Sequence, residues 1–266
     1  MTADFQRFDV LRSLDEAAAA TQDLRERGWV DFGSALDRSR HVAAARRLIG
    51  LGSGRFGMLP DPLKSWDVLR AVEAVRESGG PETPVLDVGS VGCPVLACLL
   101  SLGYEQLHGV DLDPRVAQMP GADRIDYRVE DMMHTRWPDA SFGAITAISV
   151  IEHGYDQDAL LDEVARLLRP GGVFIFSTDY WPQKLSTEGT RLFGLDWQIF
   201  SAQEIEAMVD AARERGLRPV ADPRATLREP LERTNGKPPI SFEGREYTFL
   251  YGAFVRAAQP AAAAAS

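Results

Sequence analysis

The stretch Val85-Leu86-Asp87-Val88-Gly89-Ser90-Val91-Gly92-Cys93-Pro94 decides the reading of this chain. A short apolar run ends in an acid, two glycines allow a tight turn and close backbone approach, and Pro94 suits the first turn of a helix. Strand, turn and helix in that order form the place where an open α/β sheet receives a nucleotide-type ligand. Asp87 stands two residues before Gly89, the position of the first glycine in a dinucleotide-binding turn. A carboxylate there repels a pyrophosphate and favours a ligand that carries an ammonium or a sulfonium. A second pattern, Gly52, Gly54 and Gly57, spells GxGxxG, but His41 to Ile49 before it looks helical, so it reads as a connector.

Outward from this turn, short apolar runs alternate with helical patterns. The runs are Val85 to Val88, Gln106 to Val110, Ile125 to Val129, Ala144 to Val150 and Val173 to Ser177, with a late strand from Tyr247 to Val255. Helices are predicted over Pro94 to Leu102, Gln157 to Leu168 with Gly171 and Gly172 as its stop, and Ala202 to Arg215. Ser201 and Glu204 form a capping box for the last of these. Such alternation predicts an α/β fold, a doubly wound, mostly parallel sheet. Before Pro84 the chain reads as helical, with stretches over Phe5 to Arg27, Ala35 to Ile49 and Ser65 to Glu77. The expected organisation is a helical extension over 1–80, acting as a lid or dimer contact, a sheet domain over 81–258 and a frayed tail over 259–266.

The 266 residues hold 29 Lys+Arg against 39 Asp+Glu, a net charge of -10. That balance argues against affinity built on neutralised phosphates, so nucleic acid is disfavoured as a partner, although an arginine patch could form from Arg38, Arg40, Arg46 and Arg47. Only Lys64, Lys184 and Lys237 are lysines, a bias to which no function is attached at this point. No apolar stretch approaches the roughly 18 residues of a membrane span, and Met1 to Val10 lacks an apolar signal core, so a cytoplasmic protein is expected. Cys93 and Cys98 read as reduced thiols, and His41, His108, His134 and His153 have no metal-ligand spacing.

Between Pro84 and Thr178 the sequence resembles the class I S-adenosylmethionine-dependent methyltransferases, in particular the type 11 group. Asp87-Val88-Gly89-Ser90-Val91-Gly92 is similar to the motif that wraps the methionine part of the cofactor. Gly109-Val110-Asp111-Leu112-Asp113 resembles the second strand, whose acid, Asp111, would take the ribose hydroxyls as a bidentate acceptor. Val129-Glu130-Asp131-Met132 resembles the adenine-reading piece, with Asp131 accepting from the exocyclic amine and the Met132 amide facing the ring. Pro138 to Phe142, Ser149-Val150-Ile151-Glu152-His153 and Leu167 to Gly172 match later pieces in the family's order. The resemblance implies a seven-stranded class I sheet with S-adenosyl-L-methionine as cofactor. The cofactor residues it implies are Asp87, Gly89, Ser90, Gly92, Asp111, Leu112, Asp131, Met132 and Ser149. Val91 and Cys93 depart from the family, which usually has further glycines there.

The implied activity is methyl transfer to an oxygen or nitrogen of a small molecule of sugar, glycan or secondary-metabolite type. His153 is the first candidate base and Asp179 the second, with a histidine held by backbone at a strand end as the alternative for His153. Tyr180, Trp181 and Trp197, with Phe193 and Phe200, are candidate walls of the acceptor pocket, with packing against the amino-terminal helices as the alternative, preferred for Trp197 and Phe200. Other S-adenosylmethionine chemistry (cyclisation or aminopropyl transfer) and a catalytically silent binding protein are the competing readings. A homodimer is compatible with the helical extension.

Overall fold

The structure, a computed structural model, describes residues 4–29, 62–119, 121–229, 231 and 239–258. The helix expected over 35–49, the glycines of the GxGxxG pattern, the four arginines of the candidate patch and the tail lie outside the described residues.

The described chain begins with a two-residue strand, β1 (Asp9–Val10), and helix α1 (Leu14–Arg27), capped by Ser13 at one end and by Gly28 in the left-handed region at the other. Helix α2 (Ser65–Ser78) follows. Then come β2 (Val85–Val88), α3 (Val95–Ser101), β3 (Leu107–Asp111), β4 (Asp126–Val129) and β5 (Phe142–Ile148). Helix α4 (Gln157–Leu167) leads into the long strand β6 (Leu168–Tyr180). A small hairpin, β7 (Arg191–Leu192) with β8 (Leu195–Asp196), precedes α5 (Ala202–Glu214), whose capping box between Ser201 and Glu204 is formed as expected. Strand β9 (Leu217–Pro219), the short helix α6 (Arg224–Arg228), β10 (Ile240–Phe242) and β11 (Arg245–Arg256) complete it.

Strand β2 pairs in parallel with both β3 and β5, β4 pairs in parallel with β3, and β6 in parallel with β5. Strand β11 runs antiparallel to β6 and carries β9 and β1 on its other edge. Seven strands, in the order β4-β3-β2-β5-β6-β11-β9, thus make the expected mostly parallel sheet, and β1 and β10 add to β11. Alternate residues of β6 feed two cores: Val173 and Ile175 meet α1, α2 and α3 on one face, while Phe174, Phe176 and Tyr180 meet α4 and α5 on the other. Both faces are therefore wound with helices.

Two expectations shift. Helix α4 ends at Leu167, and Gly171 and Gly172 lie inside the irregular start of β6 rather than in a stop before it. The described part of the amino-terminal segment is joined to the sheet, not merely laid beside it. Asp9 and Val10 pair with Tyr251 and Leu250, Thr248 Oγ1 donates to the Leu11 carbonyl, and Tyr251 Oη donates to that of Phe5. Thr21 Oγ1 donates to Ser65 Oγ at 2.8 Å, tying α1 to α2.

Candidate active site

The parallel strands β2, β3, β4 and β5 end on one side of the sheet, and a cavity of about 720 Å³ opens there. Its cofactor-side wall comes from the loop after β2 (Gly89, Val91, Gly92, Cys93), the end of β3 (Asp111, Leu112) and the loop after β4 (Asp131, Met132). Ser149, Val150 and His153 come from the loop after β5, and Lys64, Phe193 and Leu195 close the other end.

The loop after β2 is shaped from below. Asp87 is fully buried and does not line the cavity; its carboxylate accepts from Thr146 Oγ1 at 2.6 Å and from Ser90 Oγ at 2.9 Å. Burial pushes its pKa up to about 6, against those two hydroxyl donors. Ser90 is buried too and stays behind the loop, its hydroxyl on Asp87. The sequence placed both among the cofactor contacts; the structure makes them supports of the turn. Gly89 has φ +70° and donates to the Val110 carbonyl at 2.8 Å, and a Cβ on it would overlap the Val150 side chain. Only glycine meets both demands.

Asp111 lines the cavity with both oxygens oriented: one accepts from the Val91 amide at 3.0 Å, the other from the Asp113 amide at 2.8 Å. Each keeps a lone pair, the acceptor set that a ribose diol requires. Asp113 caps a short 3-10 helix through the Arg115 amide. Asp131 accepts from the Met133 amide at 2.9 Å and lines the cavity beside Met132. Leu112 is largely exposed at the rim. Ser149 holds φ +54°, a costly conformation for a non-glycine residue that its two hydrogen bonds to Ser177 stabilise: its amide donates to the Ser177 carbonyl and hydroxyl, each at 3.1 Å. Its own hydroxyl accepts from Lys64 Nζ.

His153 faces the cavity. Its Nδ1 is buried with no hydrogen-bond partner among the described residues, and its ring meets Phe193 edge-on at 5.2 Å. Burial, reinforced by the nearby Lys64 ammonium, lowers its pKa to about 4, so the imidazole is neutral at physiological pH. Among the described residues no backbone group is hydrogen-bonded to Nδ1.

The other candidates are not brought to the cavity. Asp179 is buried, accepts from Trp197 Nε1 at 2.7 Å, and has its pKa raised by burial. Trp197 is itself buried and packs against Tyr247, which corresponds to its packing alternative. Tyr180 is 1% exposed, turned to the face of α4 and α5, with its hydroxyl on the Leu227 carbonyl. Trp181 packs at the edge of the opposite core. These aromatics support the site from behind, because β6 is buried on both faces and its last residues turn into the two cores. Lys64 and Leu195 were not singled out by sequence reasoning. The one signal for Lys64 was its rarity, one of three lysines in a chain whose other cationic side chains are arginine. Among the described residues no cluster of His, Cys, Asp and Glu could hold a metal ion.

Residues 86–176 match the model described as "Methyltransferase domain". A ubiquinone biosynthesis O-methyltransferase of Xanthomonas oryzae pv. oryzae is 36% identical over 101 residues, 35% of this chain and 42% of that protein. Its counterpart in Xanthomonas campestris pv. campestris is 30% identical over 125 residues, 44% of this chain and 52% of that protein. The chain therefore spans about half the length of these curated relatives or less. Among solved structures, the YcgJ protein of Bacillus subtilis superposes with a TM-score of 0.51 at 18% identity, covering 71% of this chain and 99% of that one. The [4+2]-cyclase SpnF gives a TM-score of 0.51 at 16% identity, covering 74% and 84%. The sheet order and the match over 86–176 agree: that part of the chain is similar to the methyltransferase-domain family, on a sheet of the class I methyltransferase type.

Proposed function

We propose that the protein transfers the methyl group of S-adenosyl-L-methionine to an oxygen or nitrogen of a small-molecule acceptor. The observation that carries this reading is one continuous cavity. At one end Asp111 offers two oriented oxygens between the glycine turn and the Asp131–Met132 loop, and at the other stand His153, Lys64 and Phe193. The donor set fits the cofactor: paired acceptors for a diol, glycines that let backbone approach closely, and no phosphate-binding cation on the turn.

When bound, S-adenosyl-L-methionine supplies an activated methyl on a sulfonium. The chain's own work is to hold donor and acceptor in line and to exclude water. Asp111 orients the nucleoside end, and Ser149, fixed by Ser177, borders the middle of the cavity. His153 presents a neutral imidazole ring to the acceptor end, where it borders the acceptor's oxygen or nitrogen. Asp179 acts at one remove, as the partner that holds Trp197.

Calorimetry with S-adenosylhomocysteine tests the cofactor, and absence of binding by the full chain overturns the reading. Product analysis tests the chemistry: methyl transfer leaves S-adenosylhomocysteine, whereas cyclisation or aminopropyl transfer leaves methylthioadenosine. A chain that binds the cofactor and yields neither product is a silent binder.

A further inference from the structure

Lys64 stands immediately before α2 and reaches into the end of the cavity that His153 and Phe193 border. An ammonium has three N–H donors. Among the described residues, one is given to Ser149 Oγ and a second points to Asp67 Oδ2 at 3.5 Å, while the ammonium sits over the Phe249 ring at 3.8 Å from its centroid. Those contacts fix the head group at the wall of the cavity, which Lys64 lines. Phe193, opposite, is 87% exposed and holds φ +55° at the tip of the β7–β8 hairpin. A large apolar side chain kept in water on a left-handed backbone is a costly arrangement, and its ring already packs edge-on against His153. The acceptor end thus offers a flat apolar wall and a fixed cation beside the His153 ring.

We propose that Lys64 is a further catalytic residue, whose ammonium holds the acceptor's oxygen as an oxyanion while the ring bearing that oxygen packs against Phe193, so that the acceptor is a hydroxyl on a planar apolar ring, of the phenol type. This rests on the methyl-transfer reading above and gives that site its substrate class. The hydroxyl proton passes to bulk water as the acceptor binds; the oxygen's electron pair then forms the new bond to the methyl carbon as the carbon–sulfur bond breaks, its pair remaining on sulfur. The requirement for an acidic hydroxyl follows from the groups around it. His153, with its low pKa, is too weak a base to keep a proton taken from an aliphatic alcohol. The carboxyls that face Lys64 from the packed elements are Asp67 on α2, Glu152 after β5 and Asp179 on β6, all buried and all raised by that burial toward the neutral acid.

The test is a spectrophotometric pH titration of 4-nitrophenol bound to the full-length protein, which needs no cofactor and so fails or succeeds apart from the calorimetry with S-adenosylhomocysteine. The wild type is expected to bind the probe with its apparent pKa lowered by about 1–3 units, the effect of a cation at contact distance. In Lys64→Met that shift is lost. Phe193→Ala, at an exposed position with no fold to disturb, weakens binding by roughly tenfold, the size of a lost aromatic contact, and leaves the shift in place. No binding by the wild type, an unshifted or raised pKa, or the same lowered pKa in Lys64→Met overturns the proposal. If Lys64→Met does not fold, because buried Asp67 loses its cation, the wild-type shift and the Phe193→Ala affinity decide, and unchanged affinity in that variant is likewise fatal.

Discussion

At Asp111 two backbone amides hold one carboxylate, and that carboxylate is what the cofactor's sugar would meet. Asp111→Ala should weaken S-adenosylhomocysteine by roughly tenfold or more, the worth of charge-assisted hydrogen bonds, as read by calorimetry. An unchanged Kd removes Asp111 from the cofactor site. Gly89 makes a second residue-scale demand. Gly89→Ala meets both a left-handed backbone and the Val150 side chain, and should cost about 1–3 kcal/mol in denaturant unfolding. For His153, replacement by Ala should lower turnover far more than cofactor binding, and equal turnover would end its assignment to the acceptor end. These residues differ in how readily sequence shows them. Asp111 and Gly89 sit at fixed offsets within short motifs, whereas Lys64 reaches the cavity from a segment outside those motifs, so no local spacing announces it.

Among elements, the interior parallel strands and the helices between them were legible, because apolar runs switch from extended to helical periodicity at each turn. Strands β1, β7, β8 and β9 were not: two or three residues carry no period, and pairing to β11 or within the hairpin alone makes them strands. Tyr180 shows another limit. Along β6 both faces are covered, so every position from Val173 onward is apolar or buried, and sequence alone does not tell which residues turn toward the cavity. The amino-terminal elements give an element-scale prediction. Leu24 of α1 is fully buried in the same core as Val75 of α2 and Val173 of β6. Leu24→Ala should destabilise the protein by about 2–5 kcal/mol and displace a single unfolding transition for the whole chain. An early separate transition with the main one unmoved would instead mark an independent extension.

On the scale of the molecule, buried acids set the pH response. The folded pKa of Asp87 is raised by burial to about 6, above its unfolded value, so its contribution to stability is present at low pH and is lost as pH rises through about 6. Asp67 and the neighbouring pair Glu152 and Asp179 are raised in the same direction and add to it. His153 is lowered to about 4, so its contribution is present above pH 6.5 and lost as pH falls through 4. With these buried acids in the majority, Tm should rise as pH is brought from about 7 to 5, and Asp87→Asn should flatten that rise. A Tm that falls over this interval contradicts the burial of these carboxyls.

The position of β2 between β3 and β5 has a consequence for how the protein could diversify. Everything that would recognise the nucleoside hangs from the β2–β3–β4 half of the sheet, while Phe193 and Leu195 hang from a hairpin beyond β6. Chain crossings run away from β2 in opposite directions, so the two halves share a cavity but no loops. A transplant of residues 190–197 from a homologue should exchange the molecule that receives the methyl group and leave the affinity for S-adenosylhomocysteine where it was. Topology here separates what is kept from what can be traded.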